Sequence, residues 1–402
     1  MKKQFFIPLL LAMLIVGCKT NEETNALLLV DAPVAKKIAK ELILHNDTRI
    51  DNYFWMRLSD EQKNAENPDS QTQDVLDYLN SENDYLEEVM GHTNELQDKL
   101  YDEMVSRIKK DDQSVPVKDN GYLYYTRFEE GGDYALYCRK KIDSDSKEEI
   151  IFNGPEMATG YSYYGIGSQS VSEDNKLMAF AIDTVSRRRY NIYFKNLETG
   201  EQYSDMLSNT SGRATWANDN KTVFYTTKDP ETLRANKIYR HILGTSQAED
   251  VLIFDEKDET FNIGVGKSKS KAYLTIYSSQ TLSTEVRVLD ANTPNGEWKI
   301  IQPREMNLEY SVDHYSDHFY IRTNLDAKNF RLVKTPITDT TKENWVDVIP
   351  HRDNVYLQSF DLFSNQLVVQ ERENGLRGIR IINWKGGEHQ MTFNDPTYLA
   401  YT

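Results

Sequence analysis

The stretch Val171–Glu201, VSEDNKLMAFAIDTVSRRRYNIYFKNLETGE, contains the pattern from which the rest of the fold can be predicted. It predicts a strand at Leu177–Ile182, a charged turn at Asp183–Arg189, a second strand at Tyr190–Asn196 and a final turn at Leu197–Gly200. The two strands carry aromatic and branched residues in partial alternation, as half-buried pleated strands do. An isolated hairpin of this kind is only marginally stable in water, so it must belong to a larger sheet.

The hairpin pattern recurs along the chain, which indicates a repeat architecture. Each copy has an opening strand, a short turn and a second strand rich in branched residues. Further copies begin near Val117, Trp216, Val265, Val312 and Phe360. Because the copies are spaced about 45 to 54 residues apart, as four-stranded blades are, we predict an all-β fold, a β-propeller with six visible blades. The alternative is a large irregular all-β domain without radial closure.

The composition excludes some classes of function. The 402 residues include 63 acidic and 47 basic side chains, for a formal net charge of −16. Phosphate binding requires clustered Lys and Arg, so a nucleic-acid partner is not expected. An acidic chain can steer cationic ligands if its charge is focused in a cavity. A merely solvated acidic surface is the alternative, and charge alone does not separate the two.

The first residues have the features of an export signal. The Lys2–Lys3 pair precedes the apolar run Phe5–Val16, which is too short to span a bilayer. A small residue then precedes Cys18, an arrangement that resembles the bacterial lipobox. The resemblance implies a signal peptide at 1–17, a lipid on Cys18 and a tether at 18–32, and so an exported lipoprotein on the periplasmic or cell-surface side of a membrane. A plain signal peptide with an incidental cysteine is the alternative.

Residues 33–111 are predicted to form an extension that precedes the blades. Tyr53–Met56 is a dense apolar cluster, and such clusters are buried against another surface. From residue 70 to about 110, apolar side chains recur at helical spacing while acidic residues occupy the outer face, which predicts a long helix. Asp111–Pro116 ends the helix and leads into a propeller at 112–402 that is incomplete at its last blade.

Several short motifs resemble those of one known family. The opening segment, Pro33–Lys37 and His45–Arg57, resembles the N-terminal start of the prolyl oligopeptidase family, in its oligopeptidase B (protease II) branch. The other matching motifs are Asp111–Pro116, Tyr124–Gly131, Tyr137–Lys140, Asp183–Val185, Phe194–Gly200, Trp216–Asn220, Ser311–His314 and Thr323–Arg331. The resemblance covers about residues 33 to 402.

The resemblance implies a propeller of the seven-bladed type that caps an α/β-hydrolase domain and belongs to a serine peptidase cutting short peptides after Arg or Lys. In that family the N-terminal extension packs on the hydrolase domain, which would explain the apolar cluster Tyr53–Met56. The propeller admits only small or unstructured peptides to an internal cavity, so it acts as a gate and not as the catalyst. The implied partners are basic peptides and a hydrolase domain, in cis or in trans.

The catalytic motif implied by the resemblance does not occur in these 402 residues. The family's nucleophile lies on a Gly-x-Ser-x-Gly elbow between a strand and a helix. The nearest segments, Gly165–Ser168 and Thr210–Gly212, are predicted to lie between blades without a following helix. Because the family's Asp and His follow the Ser, they are expected beyond Thr402, as is the α/β-hydrolase domain, while the seventh blade should follow Tyr398. We therefore predict no catalytic residue here and expect a truncated or split product, or one piece of a longer protein.

Two charged positions are candidates for contacts with the absent domain or with bound peptide. Glu129 and Arg189 match family positions near the domain interface, where salt bridges are thought to govern opening and closing. The alternative is that both belong to solvated hairpin turns, where exposed ion pairs contribute little.

No metal or cofactor site is expected. His314 and His318 are four residues apart, but they flank a predicted hairpin turn and lack a third ligand. Gly264 and Gly266 follow a strand pattern, but no helix begins there, so a dinucleotide motif fails. Cys138 lies in a strand pattern and is predicted to be a small buried hydrophobe.

Two functions remain open from the sequence. The chain is either the gating part of an oligopeptidase-B-like serine endopeptidase or a free-standing propeller lipoprotein that binds peptides or partner proteins without catalysis. An open propeller that lacks a blade exposes strand edges, which favours aggregation or pairing and counts against the second function. The branch is often considered cytosolic, whereas the lipobox-like start indicates export.

Overall fold

The computed structural model describes residues 30–143 and 145–402 and divides the chain into two compact units, Met1–Lys109 and Lys110–Thr402. The predicted lipidation site Cys18 and the signal segment before it lie outside the described residues. Among the residues that the structure describes, no helix is both long enough and apolar enough to cross a membrane.

The described part of the first unit, from residue 30 onward, contains a hairpin followed by a short helical turn. Lys40–Leu44 pairs antiparallel with Asp47–Asp51. The predicted apolar cluster forms the 3-10 turn Phe54–Met56, whose side chains are half-buried rather than fully enclosed. The indole N–H of Trp55 donates to the Lys36 carbonyl at 2.9 Å, which attaches the turn to the segment before the hairpin.

The α-helices among the described residues of this unit are Asp60–Lys63, Ser70–Met90 and Asn94–Ser106. The Asp69 carboxylate accepts from the backbone N–H of Thr72 at 2.7 Å and so caps the 21-residue helix, since the first N–H groups of a helix have no partner within it. A 3-10 turn separates the last two helices. The helix predicted from the apolar spacing is therefore present as two consecutive helices.

The second unit contains six blades, all with antiparallel strand pairing, and the fold class predicted from the repeats is confirmed. Blades 1, 4, 5 and 6 are separate four-stranded sheets, whereas blades 2 and 3 share one seven-stranded sheet. The strands of the separate blades are Val117–Asp119, Tyr122–Arg127, Leu136–Lys141 and Glu149–Asn153 in blade 1, Asn262–Lys267, Tyr273–Gln280, Ser283–Asp290 and Lys299–Ile300 in blade 4, Tyr310–Tyr315, His318–Thr323, Arg331–Pro336 and Val346–Ile349 in blade 5, and Val355–Leu362, Gln366–Glu373, Leu376–Asn383 and Glu388–Gln390 in blade 6.

The shared sheet occupies the region from which the fold was predicted. Its strands are Gly165–Val171, Leu177–Asp183, Tyr190–Asn196, Gln202–Trp216, Thr222–Lys228, Ala235–Ile242 and Val251–Asp255. Short helical turns in this unit lie at Gly154–Met157, Gln247–Glu249 and Lys342–Asn344. The described residues contain no α/β-hydrolase domain.

The hairpin predicted from the sequence is confirmed, since Leu177–Asp183 pairs with Tyr190–Asn196. The first of these strands is buried on both faces because its blade lies between two neighbours. Phe180 packs with the core that blade 2 forms with blade 1, and Ala181 packs with the core towards blade 3. A strand covered on both sides has no polar face, which explains why the alternation in the sequence is only partial.

Blades 2 and 3 are joined by the 15-residue strand Gln202–Trp216. This strand is the outer strand of blade 2 and, after register shifts around Thr210, the inner strand of blade 3. Gly212 lies within the shift between Thr210 and Ala214 and has a φ of +84°, and the ring of Tyr190 lies 2.6 Å from where a Cβ would be. Both the left-handed backbone and the close ring require glycine at this position.

Candidate functional site: the propeller lumen

The two serine segments that come nearest to a nucleophile elbow lie inside strands. Gly165–Ser168 is part of the strand Gly165–Val171, and Thr210–Gly212 is part of Gln202–Trp216. The prediction that they lie between blades is wrong, because the inner strand of blade 2 begins earlier and the strand joining blades 2 and 3 runs through without a break. Neither strand leads into a helix, so neither serine has the exposed position that an elbow provides.

One serine and histidine pair was not anticipated from the sequence. The Ser270 hydroxyl lies 2.8 Å from Nδ1 of His314. The other ring nitrogen has no hydrogen-bond partner within the described residues, and Tyr273 and Phe319 pack against the ring. Burial lowers the pKa of His314. A catalytic histidine is oriented by a third group and faces the substrate, so this pair has a structural role.

The histidines that were weighed as metal ligands have separate partners. His318 Nδ1 lies 2.7 Å from Asp317, whereas His314 faces Ser270. In the described ranges, no three His, Cys, Asp or Glu side chains are arranged to hold a metal ion. Cys138 is buried and unpaired as predicted, and burial raises the pKa of its thiol to about 11, which keeps it protonated and unreactive.

The inner strands of the blades line the lumen of the propeller. In each blade a turn joins the first strand to the second. These turns contact the corresponding turn, or the end of a strand next to it, in a neighbouring blade. They therefore all lie at one end of the lumen. These contacts, between 2.6 and 3.1 Å, join Asn120 to Glu173, Asp174 to Asn220, Asn218 to Lys271, Lys269 to Asp313 and Tyr315 to Ser364.

Blade 4 supplies the most highly connected of these turns, Lys267–Lys271, which we call the lysine turn. Its three lysines alternate with two serines. The ion pairs join Lys267 to Glu173 at 2.6 Å, Lys269 to Asp361 at 2.7 Å, and Lys271 to Asp119 at 2.9 Å and to Glu173 at 3.2 Å. Because the carboxylates belong to blades 1, 2 and 6, the lysine turn connects blade 4 to three other blades across one end of the lumen.

The environments of the three ammonium groups differ. Burial lowers the pKa of Lys267 despite its partner Glu173. Burial acts on Lys271 in the same direction, but the carboxylates of Asp119 and Glu173 outweigh it and raise the pKa of Lys271. The side chains of Lys269 and Lys271 are more than a third exposed, so solvent and salt screen their ion pairs. The Lys267 pair is the most sheltered of the three.

Two cavities lie within the lumen on either side of the lysine turn. The first, of about 750 Å³, is bounded by the inner strands of blades 1 and 2 and includes Tyr124 and Gln169. The second, of about 620 Å³, is bounded by the inner strands of blades 4, 5 and 6 and includes Gln358; we call it the blade 4–6 cavity. Lys267 and Lys269 line both. Cavities of this size accommodate short peptide segments.

The two predicted contact residues, Glu129 and Arg189, lie at the opposite end of the propeller. Loops between the second and third strands of a blade are at that end because successive antiparallel strands reverse direction. Glu129 in blade 1 pairs with Arg127 at 3.1 Å, and Arg189 in blade 2 donates to the Pro230 carbonyl. The structure does not bring Glu129 and Arg189 together, and their role towards another domain stays a prediction.

Comparison with known proteins identifies the family. The model of the prolyl oligopeptidase N-terminal β-propeller domain matches residues 33–402. This chain therefore belongs to the prolyl oligopeptidase family, as its motifs indicated.

Among curated proteins, this chain is similar to dipeptidyl aminopeptidase BI of Pseudoxanthomonas mexicana, with 38% identity over 91% of this chain and 51% of the relative. Protease 2 of Moraxella lacunata is 32% identical over 91% of this chain and 52% of its own length. The chain thus spans about half the length of these curated relatives.

Solved structures agree with the oligopeptidase B branch. Oligopeptidase B from Leishmania major matches with a TM-score of 0.83 and 29% identity, over 91% of this chain and 54% of that chain. Oligopeptidase B from Trypanosoma brucei, in a closed form with covalently bound antipain, matches with a TM-score of 0.80 and 27% identity over the same shares. The matched half is the propeller part.

Proposed function

We propose that this chain is the substrate-gating propeller of an oligopeptidase-B-like serine endopeptidase that hydrolyses short peptides after Arg or Lys. An α/β-hydrolase domain, in cis or in trans, supplies the catalytic serine, aspartate and histidine for acyl transfer. The observation that carries the proposal is the match of residues 33–402 to the family's propeller, together with the likeness to oligopeptidase B. The propeller admits small peptides and excludes folded proteins.

The helical unit supports the need for a further domain. Its last two helices expose apolar side chains that recur at intervals of four or seven residues within each helix, which is the spacing of one helix face. These side chains, between 45% and 60% exposed, are Leu79, Leu86, Leu96, Leu100 and Met104. An apolar face of this extent suits coverage by another protein surface, which the hydrolase domain would provide.

The charge of the chain supports a cationic substrate. A net charge of −16 attracts peptides that carry Arg or Lys and raises their concentration near the propeller. The effect is electrostatic steering, so it weakens as ionic strength increases.

A second candidate is favoured by one relative. The 38% identical protein from Pseudoxanthomonas mexicana is named a dipeptidyl aminopeptidase, an exopeptidase class, rather than an endopeptidase. The two activities differ at the amino end of the substrate, because an aminopeptidase of this kind requires a free amino terminus two residues before the scissile bond. The test therefore uses both an amino-blocked substrate and free dipeptidyl amides.

The test uses the native protein from its own host, detected with an antibody against residues 33–402 and labelled with a fluorophosphonate. We expect a labelled band that is larger than this chain by a whole domain, roughly 250 residues. The labelled protein should cleave an amino-blocked arginyl amide but not its norleucyl counterpart, which matches the length without the charge. Cleavage of free dipeptidyl amides alone would support the second candidate. An unlabelled band near 46.7 kDa would contradict both and favour a free-standing binding protein.

We also propose that Glu129 and Arg189 contact the hydrolase domain or bound peptide. Both lie in loops at the same end of the propeller, and their side-chain partners among the described residues are one neighbouring arginine and one carbonyl. In the longer protein, Glu129→Arg should lower kcat/KM for the arginyl amide by about twofold to fivefold, as expected for an exposed ion pair. Glu231→Arg is the matched control, since Glu231 is an exposed glutamate in the corresponding loop of blade 3. Equal kcat/KM values for both variants and the wild type would sink this proposal.

The same protein is proposed to be an exported lipoprotein anchored through Cys18. The support is the sequence of its first 18 residues. Cells fed radiolabelled palmitate should label the wild type and Cys138→Ser but not Cys18→Ser, because Cys138 is buried and serves as the control. Label retained by Cys18→Ser would exclude the anchor.

A further inference from the structure

The blade 4–6 cavity contains a cation without a partner. Arg213, on the strand that joins blades 2 and 3, lines this cavity and a neighbouring one. Its side chain is exposed, and none of the described residues offers it a hydrogen bond or an ion pair. A free guanidinium presents several N–H donors in a planar fork that matches the two oxygens of a carboxylate.

The two lysines that line the cavity are already paired with carboxylates. Lys267 and Lys269 are held by Glu173 and Asp361. Asp313 also lines the cavity; its carboxylate accepts from the backbone N–H of Lys269 at 2.9 Å and forms no ion pair among the described residues. Among the described residues that line the cavity, Arg213 is therefore the cation left for a ligand.

One wall of the cavity is bare backbone. Gly264 and Gly266 alternate with Ile263 and Val265, which are buried in the core towards blade 3, so the two glycines face the other way, along the wall of the cavity. A Cβ at Gly264 would meet nothing within 4 Å, and its φ is not in the left-handed region. Neither packing nor conformation requires glycine here. Open glycine on a strand that ends a sheet marks a place where another backbone can approach.

An unused acceptor faces the same space. The side-chain Oε1 of Gln358, on the inner strand of blade 6, is buried without a hydrogen-bond partner among the described residues. A buried acceptor of this kind is stabilised when a ligand N–H reaches it. The cavity thus combines a donor for an anion, an acceptor for an N–H and a wall open to a peptide backbone.

We propose that the blade 4–6 cavity binds a carboxylate-bearing peptide. Arg213 binds the carboxylate, the edge at Gly264 and Gly266 contacts the peptide backbone, and Gln358 accepts a peptide N–H. This site adds a ligand-binding role to the proposed gating function. It rests on that function only for the assumption that the ligand is a peptide. The site holds one end of a peptide in the lumen. It takes no part in the catalytic reaction.

The test measures fluorescence anisotropy of the full 402-residue chain with fluorescein-labelled Gly-Ser pentapeptides. One has a free C-terminus, one is a C-terminal amide, and one is an amide with an internal Glu. The free acid should bind about tenfold or more tightly than the plain amide, because one charge-assisted hydrogen bond is lost. Tight binding of the Glu amide would assign the site to side-chain carboxylates as well, whereas weak binding would assign it to the C-terminus.

Variants separate the site from a general charge effect. Arg213→Gln should remove the preference for the acid, and Arg213→Lys should retain part of it. Arg372→Gln is the matched control, since Arg372 is an exposed arginine of blade 6 that lines neither cavity. Gly264→Val should weaken binding while leaving the urea unfolding midpoint unchanged, because its side chain enters open space.

Equal affinities for acid and amide, or an unchanged preference in Arg213→Gln, would overturn the carboxylate site. Such a result leaves the proposed gating function intact, because fluorophosphonate labelling and arginyl-amide cleavage by the longer protein do not depend on this cavity. Conversely, an unlabelled native protein would remove the peptidase proposal while the carboxylate preference of the lumen could still be measured.

Discussion

Replacement of His241 by phenylalanine is expected to lower the free energy of unfolding of the propeller by about 3–5 kcal/mol. The imidazole is completely buried, with Nδ1 2.7 Å from Asp250 and Nε2 3.2 Å from Asp205. Phenylalanine retains the ring that stacks on Phe194, but it leaves two buried carboxylates without their shared partner. The loss of stability therefore measures the cost of leaving the two carboxylates without the imidazole rather than a loss of packing.

The pH dependence of stability should change in the same variant. Burial alone would lower the pKa of His241, but hydrogen bonds to Asp250 and Asp205 and their charges outweigh it and raise the pKa above its ordinary value. Because the folded-state pKa exceeds the unfolded one, the contribution of the charged ring is complete below about pH 6.5 and is lost as the pH rises through the folded-state pKa. The wild type should lose this part of its stability on the alkaline side, and His241→Phe should not.

Urea unfolding followed by tryptophan fluorescence at pH 6 and pH 9 measures both effects. His318→Phe is the matched control, because His318 pairs with Asp317 at the surface and should change stability by less than about 1 kcal/mol. Adding Asp250→Asn to His241→Phe should restore part of the lost stability, since it removes one uncompensated charge. A loss in His241→Phe no larger than in the control would falsify the interpretation.

The second large effect is expected at Gly212. Gly212→Ala should destabilise the propeller by about 2–5 kcal/mol, from a left-handed backbone angle and a Cβ forced against a ring. The φ of +84° disfavours any residue with a Cβ, and Tyr190 lies 2.6 Å from the position that the Cβ would take. Because Gly212 lies within the register shift in the strand Gln202–Trp216, the strain falls on the junction of blades 2 and 3.

A neighbouring glycine separates the two causes. Gly200 has a similar φ of +79°, but nothing lies within 4 Å of its would-be Cβ. Gly200→Ala therefore carries the backbone strain alone, about 1 kcal/mol, and the difference between the two variants measures the contact with Tyr190. The measurement is the urea unfolding free energy of each variant. Equal losses at Gly212 and Gly200 would show that the ring moves aside without penalty.

The repeat and the family were predicted from local patterns. The hairpin at Leu177–Ile182 and Tyr190–Asn196 was placed to within one residue, and Cys138 was correctly assigned to the core. These predictions succeed because strand burial and turn chemistry are properties of adjacent residues. The prediction of a break between blades 2 and 3 was wrong. A single strand that is the outer strand of one blade and the inner strand of the next has the same local sequence pattern as two separate strands.

The lumen could not be predicted in the same way. Lys267 pairs with a carboxylate 94 residues away and Lys269 with one 92 residues away. Three lysines alternating in one turn of an acidic chain were a visible signal, yet only the arrangement of the blades identifies their partners. That Arg213 lacks a partner among the described residues is likewise a property of the assembled lumen, because Lys267 and Lys269 pair with the carboxylates of Glu173 and Asp361.

The sequence by itself determined the blade repeat, the helical extension and the membership of the prolyl oligopeptidase family. Each of these rests on periodicity or on motifs of a few consecutive residues. Only the tertiary structure decided which side chains meet at the lysine turn, between Asp205 and Asp250, and around the blade 4–6 cavity. Contacts between residues far apart in the chain follow from how successive blades pack side by side, and no local pattern encodes that geometry.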